Sequence, residues 1–165
     1  MSRATSVGVI SDTHGLLRPE AIAALRGSDL IVHAGDVGSA AVLDGLRTLA
    51  PVAAVRGNND HGPWAAGLPE SHLLEVNGVW LYILHDLNAL DIEPRAAGCA
   101  AVVTGHSHRP RIEEKAGVLY VNPGSAGPRR FTLPVAVARL RVADGRVEGE
   151  TVELRLGALG GPDPR

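Results

Sequence analysis

The chain has 165 residues, 45% apolar and 21% charged, with a formal net charge of −2 and a pI near 6.4. That length suits one domain able to bury its own core, and the composition excludes a disordered chain, a coiled coil and a collagen-like rod. A single cysteine, Cys99, excludes a disulfide framework and a CxxC zinc site; no apolar run approaches the roughly 20 residues of a membrane span.

Short, β-branched apolar runs punctuate the chain: Val7 to Ile10, Leu30 to Val32, Val52 to Val55, Val79 to Leu84, Ala101 to Val103 and Val118 to Val121. Continuous runs of this length suit strands buried on both faces. Helical patterns lie between some of them. Pro19 opens PEAIAALR, with Gly27 just past its end. Ser39 is placed to cap SAAVLDGLRTLA, where Val42, Leu43, Leu46 and Leu49 share a face. Asp91 to Ala97 is a shorter helical candidate. The alternation of strand and helix predicts an α/β domain. Val135 to Val142, the turn Asp144-Gly145 and Arg146 to Leu154 read as a C-terminal β-hairpin. The expected division is one domain over residues 1–156 and a frayed tail over 157–165. No signal-peptide pattern precedes the first strand, so the expected location is the cytoplasm.

The residues just beyond the strand ends carry the chemistry. The first run ends in Ser-Asp12-Thr-His14-Gly, the second in His33-Ala-Gly35-Asp36, and the third in Arg-Gly57-Asn58-Asn59-Asp60. The Val79 run ends in His85-Asp86, and the Ala101 run in Thr-Gly105-His106-Ser-His108. Five strands thus end in metal-ligand types, at the edge of an α/β sheet where sites assemble. Carboxylate, imidazole and amide oxygen together suit Mn²⁺, Fe²⁺ or Zn²⁺. Gly15, Gly35, Gly57 and Gly105 permit tight turns and close backbone approach. Any of these strings alone reads equally well as a capped turn or a pair of surface imidazoles; the ordered set does not. No Ser/His/Asp or Cys/His arrangement offers a protein nucleophile.

In that order, DxH, GD, GNxD, a strand-end His and GHxH resemble the calcineurin-like metallophosphoesterases. Asn122 to Ser125, NPGS, resembles a further motif of their small single-domain bacterial and archaeal phosphodiesterase branch. The resemblance implies a layered α/β/β/α sandwich of two mixed sheets flanked by helices. It implies that Asp12, His14, Asp36 and His108 hold one divalent ion. Asp36, Asn58, His85 and His106 would hold a second, Asp36 bridging and Asn58 also facing the phosphoryl group. Mn²⁺ is the expected metal, with Ni²⁺, Fe²⁺, Zn²⁺ and Mg²⁺ as alternatives. The implied reaction is in-line attack on a small phosphoester, most simply a diester, by a hydroxide shared between the ions. Asn59, Arg129 and Arg130 are candidate substrate contacts.

Two departures qualify the pattern. Asn59 stands where many members carry a histidine that acts as an acid, and it cannot donate a proton in that role; His61, two residues on, reads either as a substitute or as a solvated loop histidine. Asp86-Leu87 stands where relatives often have Gly-His. His33 is expected as a hydrogen-bonded histidine behind the site, Asp60 as a support of the site loop, and Asn122 and Ser125 as braces of its floor. Arg56 carries the same open reading as the other arginines. Cys99, Trp64 and Trp80 are expected to pack, and His72 to lie at a surface or strand edge. The alternative function is a non-catalytic interaction scaffold of the same fold. Without a basic run or an added binding domain, no stable nucleic-acid complex is expected. The sequence leaves homo-oligomer formation open.

Overall fold

In the computed structural model, which describes residues 3–157, two five-stranded mixed sheets pack face to face. In the first sheet β1 (Thr5–Ile10), β2 (Leu30–His33) and β3 (Val52–Ala54) run parallel. The second sheet contains β4 (Ser71–Val76), β5 (Val79–Leu84), β6 (Cys99–Val103), β7 (Arg111–Lys115) and β8 (Val118–Asn122), of which β5, β6 and β8 run parallel. The chain returns to the first sheet through β9 (Ala136–Ala143) and β10 (Arg146–Glu153), antiparallel to each other, with β9 antiparallel to β1. The strand orders are β10-β9-β1-β2-β3 and β4-β5-β6-β8-β7. The second sheet therefore has a parallel centre with an antiparallel strand at each edge, and the first has its parallel strands on one side and its antiparallel pair on the other.

Val7, Val9 and Val32 of the first sheet meet Leu81, Ala101 and Val121 of the second in a buried apolar layer between them. The other face of the first sheet is covered by α1 (Pro19–Leu25), α2 (Ala40–Arg47) and α3 (Pro63–Ala66), where Ile10 and Ile31 meet Leu25, Leu43 and Leu46. Gly8 lets α1 approach: a Cβ there would lie 2.6 Å from Leu25 Cδ2 and 2.7 Å from Ser28 Oγ. Ser39 occupies the position before α2, but its side chain makes no capping bond.

The sandwich expected from the sequence is present, with one thin layer. Over the outer face of the second sheet lies a 3-10 turn (Leu87–Ala89), from which Leu87 and Leu90 reach Leu84, Val102 and Val118. The helix expected over Asp91 to Ala97 is not formed; residues 94–98 form turns, with Ala97 N–H bonded to Glu93 O (2.9 Å). Pro94 disfavours a helical residue before it, and Gly98 takes φ +81° and stops the turn. Trp80 is 39% exposed on β5, so it packs less than expected, whereas Trp64 joins the core beside the helices.

The hairpin at Asp144-Gly145 forms as read, both residues at positive φ (52° and 77°), the signature of a two-residue turn. Two further hairpins repeat that geometry at Asn77-Gly78 (47° and 83°) and Ala116-Gly117 (50° and 79°). They create β4 and β7, which the sequence reading missed. Asn-Gly is a strong hairpin signal, while RIEEK is too charged to register as an apolar run. His72 lies on β4, an edge strand, as expected. Residues 158–165 of the expected tail lie outside the described residues. No helix among the described residues is long and apolar enough to cross a membrane.

Candidate metal centre

The parallel strands of both sheets point their carboxyl ends at one rim, and every candidate ligand sits just beyond such an end. Asp12 and His14 follow β1, Asp36 follows β2, Asn58 follows β3, His85 follows β5, and His106 and His108 follow β6. Five of these residues hold left-handed backbone conformations: Asp12 (φ 55°), His14 (47°), Asp36 (54°), His106 (70°) and His108 (63°). Non-glycine residues there cost roughly 1–2 kcal/mol each and persist only when surrounding structure enforces them. Here the loops are stitched to one another. Asp12 N–H bonds to Gly35 O (3.0 Å), His14 N–H to Asp36 O (3.0 Å) and Gly105 N–H to His85 O (2.9 Å).

Two glycines serve close approach rather than unusual φ. A Cβ on Gly57 would lie 2.1 Å from Asp36 N and 2.2 Å from Asp36 Oδ1. One on Gly105 would lie 2.0 Å from Ser11 Oγ and 2.6 Å from Asp12 Oδ2.

At the centre Asp12 is fully buried. Its Oδ2 accepts from Ser11 Oγ (2.6 Å) and His106 N–H (3.0 Å). Its Oδ1 has no hydrogen-bond partner and faces His108 Nε2 (3.3 Å), His14 Nε2 (3.8 Å) and His85 Nε2 (3.9 Å). Asp36 accepts from Asn59 N–H at Oδ1 (2.9 Å) and from the Asn59 side-chain amide at Oδ2 (3.0 Å). Its Oδ2 also faces His85 Nε2 (3.4 Å) and His14 Nε2 (3.8 Å). His85 Nδ1 donates to Ala34 O (2.8 Å), which leaves Nε2 aimed inward. The donor atoms of Asp12, His14 and His108 lie within 4.8 Å of one another, as do those of Asp12, Asp36 and His85, so each group could hold a metal ion.

His106 and Asn58 stand at the outer edge of this cluster. His106 Nδ1 lies 3.2 Å from Asn58 Oδ1 and 3.3 Å from His85 Nε2. Arg130 acts on His14 through its charge, while Arg129 is exposed and makes no hydrogen bond or ion pair among the described residues. His61 is exposed. Arg56 is paired with Glu70 (2.9 Å).

The supports lie one layer deeper. Asp60 accepts from three backbone N–H groups, Val37 (3.2 Å), Gly38 (2.9 Å) and Gly57 (2.9 Å), and so ties the Asp36 and Asn58 loops together. His33 is fully buried. Its Nδ1 accepts from Gly35 N–H (3.1 Å), so Nε2 carries the proton to Thr13 Oγ1 (3.0 Å), which in turn donates to Val37 O (2.7 Å). Asn122 donates to Gly105 O (2.8 Å), and Ser125 Oγ to Asp12 O (3.0 Å). The structural roles expected of His33, Asp60, Asn122 and Ser125 are those observed. Thr13 and Ser11 were missed; only their position inside the DxH loop could have marked them.

Electrostatics favour a cation. Burial pushes the Asp12 carboxyl upward, but the His108 imidazole 3.3 Å away and the hydrogen bond from Ser11 outweigh it and hold it below its usual range. Burial opposes ionisation of Asp36 as well; the His85 and Asn59 hydrogen bonds prevail and hold it far below that range. Burial pulls His85 down, and its bond to Asp36 more than restores it. Burial lowers His14, with Arg130 adding to the effect against the Asp36 and Asp12 charges. Burial drives His33 down to about 4, so it is neutral at physiological pH.

The buried side-chain atoms without hydrogen-bond partners among the described residues are Asp12 Oδ1, His14 Nε2 and His108 Nδ1. Leaving such an atom unpaired costs about 1–3 kcal/mol. A divalent cation between Asp12 Oδ1 and His14 Nε2 satisfies both, and the hard-to-borderline donor set fits one.

Comparison with known proteins gives the same picture. The sequence profile of the calcineurin-like phosphoesterase superfamily domain matches residues 6–145. A probable metallophosphoesterase of Methanothermobacter thermautotrophicus is 34% identical over 168 residues, covering 94% of each chain. An archaeal phosphodiesterase superposes with a TM-score of 0.74 at 23% identity, over 90% of this chain and 100% of that one. Wild-type Vps29 of Entamoeba histolytica, solved with Zn²⁺, superposes with a TM-score of 0.67 at 25% identity, over 90% of this chain and 99% of that one. With its motifs in order, its strand ends converged and its profile matched over most of its length, the chain belongs to the calcineurin-like phosphoesterase superfamily.

Proposed function

We propose that the protein is a two-metal phosphodiesterase acting on a small phosphoester. The observation that carries this reading is the pair of ionised, buried carboxylates, Asp12 and Asp36, sharing one cluster with the inward nitrogens of His14, His85 and His108. Asp12, His14, Asp36 and His108 would hold one divalent ion. Asp36, Asn58, His85 and His106 would hold the other, with Asp36 common to both. Mn²⁺ is the favoured metal on the chemistry of the donors. Bound there, the ions supply Lewis acidity, which activates water near neutral pH and offsets the charge on a reacting phosphoryl group.

The remaining contributions belong to the chain. Asn58, exposed beside His106, is placed to orient the phosphoryl oxygens. Asn59 turns its amide onto Asp36 and holds that carboxylate from the solvent side. Lacking a titratable proton, Asn59 cannot protonate a departing alcohol, which favours esters with good leaving groups over alkyl monoesters. Arg130 places positive charge near His14, where it would attract an anionic substrate.

The likeness to an archaeal phosphodiesterase supports the reading, and the Zn²⁺-bound Vps29 supports a metal at this fold's centre, while the Vps29 likeness as such favours the scaffold alternative. An interaction scaffold draws some support from Leu73 (50% exposed) and Trp80 (39%) on the thinly covered sheet. A scaffold, however, has no use for unpaired atoms buried at a shared centre. The test is metal restoration: adding Mn²⁺ to metal-stripped protein restores hydrolysis of bis-p-nitrophenyl phosphate, and Asp36→Asn lowers it by ~10²–10³-fold or more. Wild-type protein inert with Mn²⁺, Ni²⁺, Zn²⁺ and Mg²⁺ alike overturns the enzymatic reading.

A further inference from the structure

Two cavities open on either side of the candidate metal centre, and they differ in charge. One, of about 300 Å³, is lined by Asn58 and His85 together with Arg56, Glu70, Asp86 and Asp91. Arg56 is paired with Glu70, so the wall is acidic overall. The other, of about 450 Å³, is lined by His106 and Asn122 together with Asp86, Arg109, Arg111 and Tyr120. Arg111 is tied to Glu113, whereas Arg109 has no carboxylate partner among the described residues. Both cavities reach Asp86, whose carboxylate stands 3.9 Å from His106 Nε2. They meet where His106 Nδ1 approaches Asn58 and His85, which is where a phosphoryl group would sit.

A diester sends two arms away from phosphorus, and each needs its own space. Resting on the phosphodiesterase reading, we propose that the larger cavity is the subsite for one arm of an unsymmetrical diester. That arm is a nucleoside bearing a second phosphate. Its volume falls within the range of small-molecule sites, about 300–1,000 Å³. Half-buried Tyr120 lines the wall with Lys115 Nζ 5.8 Å from its ring centroid, so the ring becomes a stacking face for a base once that ammonium swings aside, and the guanidinium of Arg109, without a carboxylate partner among the described residues, matches a phosphate in shape and charge. The acidic cavity takes the smaller, uncharged or cationic arm and repels a second anion. Substrate class is thus set outside the metal ligands, by residues that none of the family motifs contains.

Three chromogenic diesters test this: methyl p-nitrophenyl phosphate, thymidine 5′-(p-nitrophenyl phosphate), and the same thymidine compound carrying a 3′-phosphate. Wild-type kcat/KM rises along the series. Tyr120→Leu, which keeps an apolar side chain against Leu84, Val102 and Val118, lowers the thymidine-to-methyl ratio about tenfold, mainly through KM. Arg109→Gln lowers only the 3′-phosphate preference, by a similar factor. Calorimetry gives a readout free of turnover: thymidine 3′,5′-bisphosphate binds wild type and loses about tenfold in affinity in Arg109→Gln. Ratios unchanged in both variants, or equal losses on all three diesters, overturn the assignment of the cavity, as does bisphosphate affinity indifferent to Arg109. If wild type hydrolyses none of the diesters, the phosphodiesterase reading fails, and the calorimetric result alone decides whether the cavity is a nucleotide site.

Discussion

The parallel strands, which build the metal centre, and the antiparallel strands, which extend the sheets away from it at their margins, divide the work of this molecule. β1, β2, β3, β5, β6 and β8 all end at one rim; the candidate ligands follow them, and the braces close them or follow them. β4, β7, β9 and β10 contribute none. They widen the sheets through tight hairpins at Asn77-Gly78, Ala116-Gly117 and Asp144-Gly145. Both regions use left-handed backbone, but to different ends. At the margins it reverses the chain in open space, where a Cβ on Gly78, Gly117 or Gly145 would meet nothing within 4 Å. At the centre it aims functional side chains inside a crowded floor. Perturbing the two regions should therefore give effects of different kind as well as size.

After loss of the Asp36 carboxylate itself, the largest effect is expected from Gly57→Ala. Its Cβ has no room beside the Asp36 backbone and carboxylate. Overpacking of this kind costs ~1–3 kcal/mol, and a displaced ligand can cost ~10²-fold in rate. Denaturant unfolding and diester turnover measure the two losses together. A fully active Gly57→Ala would show that the close approach at the centre has no functional weight.

His33 comes next. Its folded pKa of about 4 lies below the ordinary 6.5, so the unfolded chain takes up the proton first. Stability is then full above about pH 6.5 and declines as pH falls toward 4, by about 3 kcal/mol at 1.36 kcal/mol per pKa unit. His33→Gln should be less stable at neutral pH, yet lose little more between pH 6.5 and 4 than its other groups dictate. Equilibrium unfolding across that window separates the two slopes; parallel slopes would mean that His33 is not held neutral behind the site.

The smallest effect belongs to the margin. Gly145→Ala keeps its space but must hold φ +77°, which costs about 1 kcal/mol. Its melting temperature should fall by a few degrees while diester turnover at 25 °C is unchanged. A loss of turnover comparable to that of Gly57→Ala would erase the distinction between centre and margin.

The centre was the more legible region because its chemistry restricts residue type. Cation ligands must be carboxylate, imidazole or amide, and buried parallel strands must be apolar, so each strand end announced itself. The margins were less legible because half-exposed strands tolerate charge, as RIEEK does at β7. The Asn77-Gly78 turn was a readable signal that the apolar-run criterion passed over. The helix expected from Asp91 failed on Pro94, a local constraint that outweighed periodicity. What no spacing could reveal is the left-handed backbone at five candidate ligands, or the route by which Asp60 and His33 fix the loops around them. Those depend on contacts between segments distant in sequence.

Anomalous diffraction at the manganese edge, from crystals grown with Mn²⁺, tests the central claim most directly. Two peaks about 3.5–4 Å apart, one among Asp12, His14, Asp36 and His108 and one among Asp36, Asn58, His85 and His106, are the predicted result. No peak at the strand ends, or manganese bound only elsewhere on the molecule, would contradict the account.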